Sequence, residues 1–275
     1  MNEPAKEAAG RVRRMGRLTE PAEEGLLTYG EYLAVPELIS LQRLRSDPPV
    51  HDELLFIVVH QAYELWFKQV IFELESVRDR MIEGDPERAR HYLARVHAIE
   101  RVLIDHIEVL ETMSPQDFLE FRSLLTPASG FQSAQFREVE FLSGLKQRGY
   151  LNDLAASPDE LARLARRLDE PTVWDGFVSL LERNGLDMPE GDEDARRESL
   201  LAMAREPERA ALFRVAERML DHDEAFAKWR THHVLMVERE IGAKQGTGGS
   251  AGVEYLRSTL GKRFFPELWG LRSHL

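Results

Sequence analysis

FAKWRTHHVLMVEREIGAKQGTGGSAG, running from Phe226 to Gly252, is the stretch whose reading decides the fold. At 100° per residue, Phe226, Trp229, His233, Met236 and Val237 fall on one side of a helix. His233 stands near the centre of that stripe, and its neighbour His232 is turned toward the edge. An imidazole among apolar side chains needs a partner for each ring nitrogen, either a protein group or a metal. The helix then gives way to a glycine-rich loop carrying Thr247 and Ser250. This is not a phosphate-binding P-loop, because no Gly-Lys-Ser/Thr follows, and Ala251 stands where a dinucleotide fingerprint needs its last glycine. As a plain turn, the loop would place Gly246 at the helix C-cap. As a functional one, its successive amides would form an anion nest, with Thr247 adding a hydroxyl.

The rest of the chain reads as further helices. HDELLFIVVHQAYELWFKQVIFELESVRDRM, His51 to Met81, is apolar nearly all round in its middle, as a helix buried in a bundle is. A strand over Leu54 to Val59 would suit the local composition, but Glu64, Lys68, Glu73 and Arg78 follow at helical spacing. His60 lies four residues after Phe56 and three before Tyr63, on an aromatic face. A histidine so placed is ordinarily a hydrogen-bonded core residue, and it is also a candidate site group. Gly84-Asp85-Pro86 ends this helix and starts the next, whose stripe is Tyr92, Val96, Ile99, Leu103, Ile107 and Leu110. His97 and His106 lie at its boundary and read as non-ligands. Ser114-Pro115-Gln116-Asp117 opens another helix, which carries Phe118, Phe121 and Arg122. After the break at Thr126 to Gly130, a new helix is expected with Phe131, Phe136 and Phe141 on its apolar side.

Arg122 on an aromatic face must be paired, because a guanidinium is never neutral. An ion pair with Glu138 or Glu140 would be structural; a bidentate clamp on a substrate carboxylate would be functional. Upstream, Thr28 caps a short turn, and Pro36 begins a helix that is expected to end near Leu44. Tyr29 and Tyr32 share a face there, which suits simple packing. Residues 150–205 form an acidic helical excursion with starts at Ser157 and Pro171, and Trp174 reads as packing.

Composition narrows the chemistry. Of 275 residues, 43% are hydrophobic, enough for a sizeable core in one large helical domain. The formal charge of −12 argues against a nucleic-acid partner. There is no cysteine, which excludes disulfides, thiolate zinc sites, iron–sulfur clusters and thiolate-bound haem. No apolar run is long enough to span a membrane, and the first residues lack the apolar core of a signal peptide, so a cytoplasmic protein is expected.

Four ordered blocks resemble the tryptophan 2,3-dioxygenase family of histidine-ligated haem enzymes. They are the helix from Trp229 through Lys244 with Gly246 to Ser250, the block HDELLFIVVHQAYELWFKQ, the block VLETMSPQDFLEFRSLLTPASGFQSAQFR, and the ending FFPELWGLR from Phe264 to Arg272. The family usually has arginine where this chain has His232, and Leu-Asp where it has Val35-Pro36. The resemblance implies an all-α bundle around one haem b. It implies a single haem-binding helical domain over residues 1–275, with 1–25 a mobile N-terminal arm. It implies His233 as the proximal ligand of the haem iron, His60 as the distal histidine, and Ser129, Gly130 and Phe136 along the haem. Phe56, Phe118, Arg122 and Thr247 would bind the substrate, with Arg122 on its carboxylate and Phe56 on its indole. Tyr29 and Tyr32 would reach a neighbouring subunit's site in a homotetramer. The implied reaction adds both atoms of O2 to L-tryptophan or a related indole, giving N-formylkynurenine. Two other outcomes share these features: a haem monooxygenase acting on a modified indole, and a non-enzymatic haem sensor.

Overall fold

A computed structural model describes residues 26–248 and 252–275. The chain contacts divide it into two compact units, Met1–Arg43 and Leu44–Leu275. The expected arm at 1–25 lies outside the described residues, as does Ser250. Among the described residues every regular element is helical.

In the first unit, α1 (Tyr29–Tyr32) is opened by Thr28, whose hydroxyl and the Glu31 carboxylate cap each other's backbone amides. Ala34 takes a left-handed conformation (φ 49°) and restarts the chain as α2 (Val35–Leu38). The helix expected to run to Leu44 therefore stops at Leu38. Ser40 Oγ donates to Glu37 O and Gln42 Nε2 to Leu38 O, so side chains take the carbonyls that further turns would have used.

The second unit is built on three long helices: α3 (His51–Glu83), α4 (Pro86–Leu110) and, later in the chain, the helix Ala210–Ile241. No strand forms at Leu54 to Val59; α3 runs through without a break. Its first turn is fastened to the preceding segment by Glu53, which accepts Arg45 N (2.6 Å), Ser46 N (3.0 Å) and Ser46 Oγ (2.5 Å). Burial alone would raise the Glu53 carboxyl, but these donors hold it below the usual carboxylate range. Gly84 ends α3 with φ 90°, and Asp85 caps α4 by accepting Arg88 N. The buried stripe of α4 includes Leu93, Val96, Ile99, Leu103, Ile107 and Leu110, with Tyr92 only partly covered.

After α5 (Pro115–Arg122), capped by Ser114, the chain makes two 3₁₀ turns and enters α6 (Ala134–Leu142). The three phenylalanines expected on one side of α6 part company. Phe131 lies in the preceding 3₁₀ turn against Tyr255, and Phe136 packs on the principal core. Phe141 is buried in a separate small cluster with Ala134 and Leu164. The reason is that α6 is buried on every side, so it has no single apolar face.

The segment 150–205 supplies α7 (Tyr150–Asp153), α8 (Pro158–Asp169), α9 (Val173–Arg183) and α10 (Glu193–Arg205). It enters the core: α9 packs along α3, and Phe177, Leu180, Leu181 and Met203 belong to the principal cluster. From α8, Arg163 and Arg167 reach Glu138 at 2.9 and 3.1 Å. The 32 residues Ala210–Ile241 form α11, followed by α12 (Val253–Ser258) and α13 (Pro266–Leu271). Helix α11 ends at Gly242 (φ 57°), not at Gly246, because Gly242 is the first residue able to leave the helix with a positive φ.

Asp223 ties α11 to the C-terminal segment. Wholly buried, its Oδ2 accepts Phe264 N (2.9 Å), Phe265 N (3.0 Å) and Trp269 Nε1 (2.9 Å). Replacing Asp223 with Ala leaves three donors without an acceptor, and the expected cost is about 3 kcal/mol or more. A urea titration should show the midpoint falling at unchanged slope. Asp194→Ala, at a side chain 81% exposed, should move it little.

Candidate functional site

Helices α3 and α11 both pack along α4, and between them lies a cavity of about 250 Å³. Helix α3 contributes Phe56, His60 and Tyr63; α11 contributes Trp229, His233 and Glu240. Helix α5 and its following turns add Phe118, Arg122, Ser129 and Gly130. Phe136 from α6 and Thr247 from the glycine-rich loop complete the side chains expected from sequence. Tyr29 and Tyr32 belong to the other unit and are exposed.

The two histidines differ in how they are held. The His60 Nδ1 lies 2.7 Å from Phe56 O. A carbonyl only accepts, so Nδ1 carries the proton and the neutral ring presents Nε2 as an acceptor. Burial keeps the His60 pKa below its ordinary value, outweighing the backbone hydrogen bond and nearby Glu64. Its ring lies against Phe56 at 4.0 Å between centroids, and Phe56 stacks on Phe118 at 5.7 Å. Burial, with His60 adding to it, pushes His233 from 6.5 down to about 4. Among the described residues no group hydrogen-bonds the His233 ring; Trp229 lies flat against it, 5.0 Å between centroids and 7° from parallel. His232 is half-buried, with Nε2 3.6 Å from Glu111 Oε1.

Arg122 makes no ion pair among the described residues. Glu138 and Glu140, its expected structural partners, are engaged elsewhere. Glu138 is held by Arg163 and Arg167, and Glu140 lies between Arg137 (2.6 Å) and Arg230 (2.7 Å). One Arg122 nitrogen donates to Gln245 O, joining α5 to the loop after α11, and the remaining donors of the fork are uncommitted. Thr247 Oγ1 donates to Ala128 O at 2.7 Å, so its proton is used and its lone pairs remain to accept. This loop approaches Ser129 so closely that a Cβ at Gly248 would lie 2.7 Å from Ser129 Cβ, which only glycine avoids.

Sequence reasoning passed over several groups here. Glu240 is 5% exposed, neither carboxylate oxygen has a partner, and burial raises its pKa. The signal was present, since Glu240 lies two turns beyond His233 on the same stripe. The buried group of His222, Glu100 and Ser143, joined at 2.5 and 2.9 Å, gave no such signal, because its members come from three distant segments.

A haem asks for a flat apolar slot, an imidazole, and donors for two anionic propionates. The cavity walls are rich in aromatic and aliphatic side chains, and His233 offers a neutral ring with no hydrogen bond among the described residues. In the same wall, Arg137 Nε is buried without an acceptor. The residues present therefore fit the group.

These features define a helical protein that can hold a flat, largely apolar group between two neutral histidines, with an unpaired arginine beside it. The sequence pattern described as Tryptophan 2,3-dioxygenase matches residues 16–188 and 193–275. The chain is 53% identical over 256 residues to the tryptophan 2,3-dioxygenase of a Nocardioides species, covering 90% of this chain and 95% of that one. It is 44% identical to that of Herpetosiphon aurantiacus (90% and 98% covered) and 39% identical to that of Pseudomonas fluorescens (90% and 91% covered). The chain belongs to the tryptophan 2,3-dioxygenase family and is an enzyme. Membership implies a haem protein.

The histidine shifts make a prediction for the haem-free chain. His233 binds a proton near pH 6.5 when unfolded but only near pH 4 when folded. Between those values the unfolded state holds more protons, so stability should fall as pH drops from about 6.5 toward about 4. In urea titrations across that range, His233→Gln should show a shallower decline than the parent chain; an equal slope would contradict the burial of a neutral His233.

Proposed function

We propose that this chain is a haem-dependent tryptophan 2,3-dioxygenase that opens the indole ring of L-tryptophan with O2 to give N-formylkynurenine. The observation that carries the reading is one apolar cavity, in a chain of this family, lined by neutral His60, neutral His233 and an Arg122 free of carboxylates. In this reading His233 holds the iron of haem b, and Ser129, Gly130 and Phe136 border the macrocycle. The bound haem supplies an iron able to activate O2.

The chain's own residues bind and orient the amino acid. The Arg122 guanidinium takes the substrate carboxylate in two parallel hydrogen bonds. The lone pairs of Thr247 Oγ1 accept from the substrate ammonium. Phe56 and Phe118 hold the indole ring, and His60 Nε2 accepts the indole N–H. That bond fixes the ring's orientation without His60 having to remove a proton. Apolar walls keep water from the reacting carbons. Both atoms of one O2 end in the product: the C2–C3 bond breaks, C2 becomes the formyl carbon on nitrogen, and C3 becomes the ketone. No external reductant enters the balance.

The reading extends to assembly. The two tyrosines Tyr29 and Tyr32, 78% and 73% exposed on their own unit, are proposed to complete the site of a neighbouring subunit in a homotetramer. A cytoplasmic setting is part of the same reading.

With isotopically labelled O2, the product from L-tryptophan should carry two labelled atoms; one labelled atom in an intact ring system would favour the monooxygenase reading. Arg122→Leu should reduce turnover of tryptophan roughly a hundredfold, the weight of a bidentate charge-assisted contact. Indoles lacking the carboxylate should be affected far less. Equal losses for both substrate types would make Arg122 structural.

A further inference from the structure

An imidazole that binds a metal ordinarily donates its second N–H to a carboxylate or carbonyl, which fixes the ring's orientation and raises its donor strength. His233 has no such acceptor among the described residues. The residue one turn earlier on α11 lies against its ring. Trp229 lies nearly parallel to the imidazole, at 7° and 5.0 Å. Trp229 is itself held. Its Nε1–H donates to Tyr63 Oη at 3.4 Å, and the Tyr63 hydroxyl donates to Leu103 O at 2.6 Å. Phe136 and Phe226 close on the indole at 5.4 and 6.0 Å between centroids. Burial pushes the Tyr63 phenol up to about 12, so it stays protonated and keeps that donor role.

We infer that Trp229, anchored through Tyr63 to α4, is the positioning residue for His233, orienting the iron ligand by stacking in place of a hydrogen bond to a protein acceptor. The inference rests on the haem reading proposed above. Two consequences follow. With no carboxylate drawing on its second N–H, the ligand stays a neutral imidazole without imidazolate character. Its rotation is limited by the indole plane, so losing that plane frees the ring while the ligand remains.

The test uses the full chain loaded with haem. The iron–histidine stretching band of the ferrous protein is read by resonance Raman, with the reduction potential and haem affinity measured alongside. Trp229→Leu should shift and broaden the band and weaken haem binding on the order of tenfold. Trp229→Phe keeps an aromatic plane and should restore a band close to that of the parent. Tyr63→Phe should broaden the band at full haem loading, and it carries the test if Trp229→Leu fails to fold. An unmoved band and potential in Trp229→Leu, or in Tyr63→Phe where that variant stands in, would overturn the inference alone. A parent chain that takes up no haem would overturn the underlying reading as well.

Discussion

Two imidazoles kept neutral by burial, on helices that do not close on each other, set the terms for the rest of the structure. A buried cation is expensive, so both rings are held below their ordinary pKa and neither carries charge near neutral pH. The two rings face one cavity from long, unbroken helices, and α3 and α11 supply 33 and 32 residues. Helix α4 rests against both and acts as the spacer. Two buried carboxylates nearby are each held between two arginines, Glu140 by Arg137 and Arg230 and Glu138 by Arg163 and Arg167. Breaking one of those pairs would leave an uncompensated charge in the core, so they constrain the fold whatever their net stabilisation.

The same constraint separates the roles of the two histidines. His60 has its tautomer fixed by the Phe56 carbonyl, which leaves one acceptor nitrogen directed by the helix itself. His233 has no hydrogen bond among the described residues, and the plane of Trp229 lies against its ring. The first arrangement suits orientation of a donor such as an indole N–H; the second suits a nitrogen left free for a metal. Arg122 completes the contrast, a cation with no ion pair among the described residues, since Glu138 and Glu140 are engaged with other arginines; it donates to Gln245 O and so joins α5 to the glycine-rich loop.

Much of this was legible in the sequence, for identifiable reasons. Helices α4 and α5 announce themselves through the capping residues Asp85 and Ser114, and α3 and α11 through their apolar runs, and the residues expected at the site within them do line one cavity. Local rules failed where tertiary packing or backbone freedom decided the outcome. Helix α6 is buried all round, so its phenylalanines could not be assigned to one face. Helix α11 ends at the first glycine that can take positive φ, four residues before the one expected. The short helix after Pro36 is stopped by Ser40 and Gln42 bonding back to its carbonyls, a competition that periodicity does not register. Pairings such as His222 with Glu100 join residues 122 apart and leave no local pattern.

His233, not its neighbour His232, is the residue proposed to carry the iron. The direct measurement is haem titration of two variants, followed by the absorption spectrum of each complex. His232→Ala should take up one haem per chain with a spectrum like that of the parent, because His232 stands at the edge beside Glu111. His233→Ala should lose haem binding or bind weakly with an altered ferrous spectrum. Retention by His233→Ala together with loss by His232→Ala would contradict the assignment and the geometry built on it.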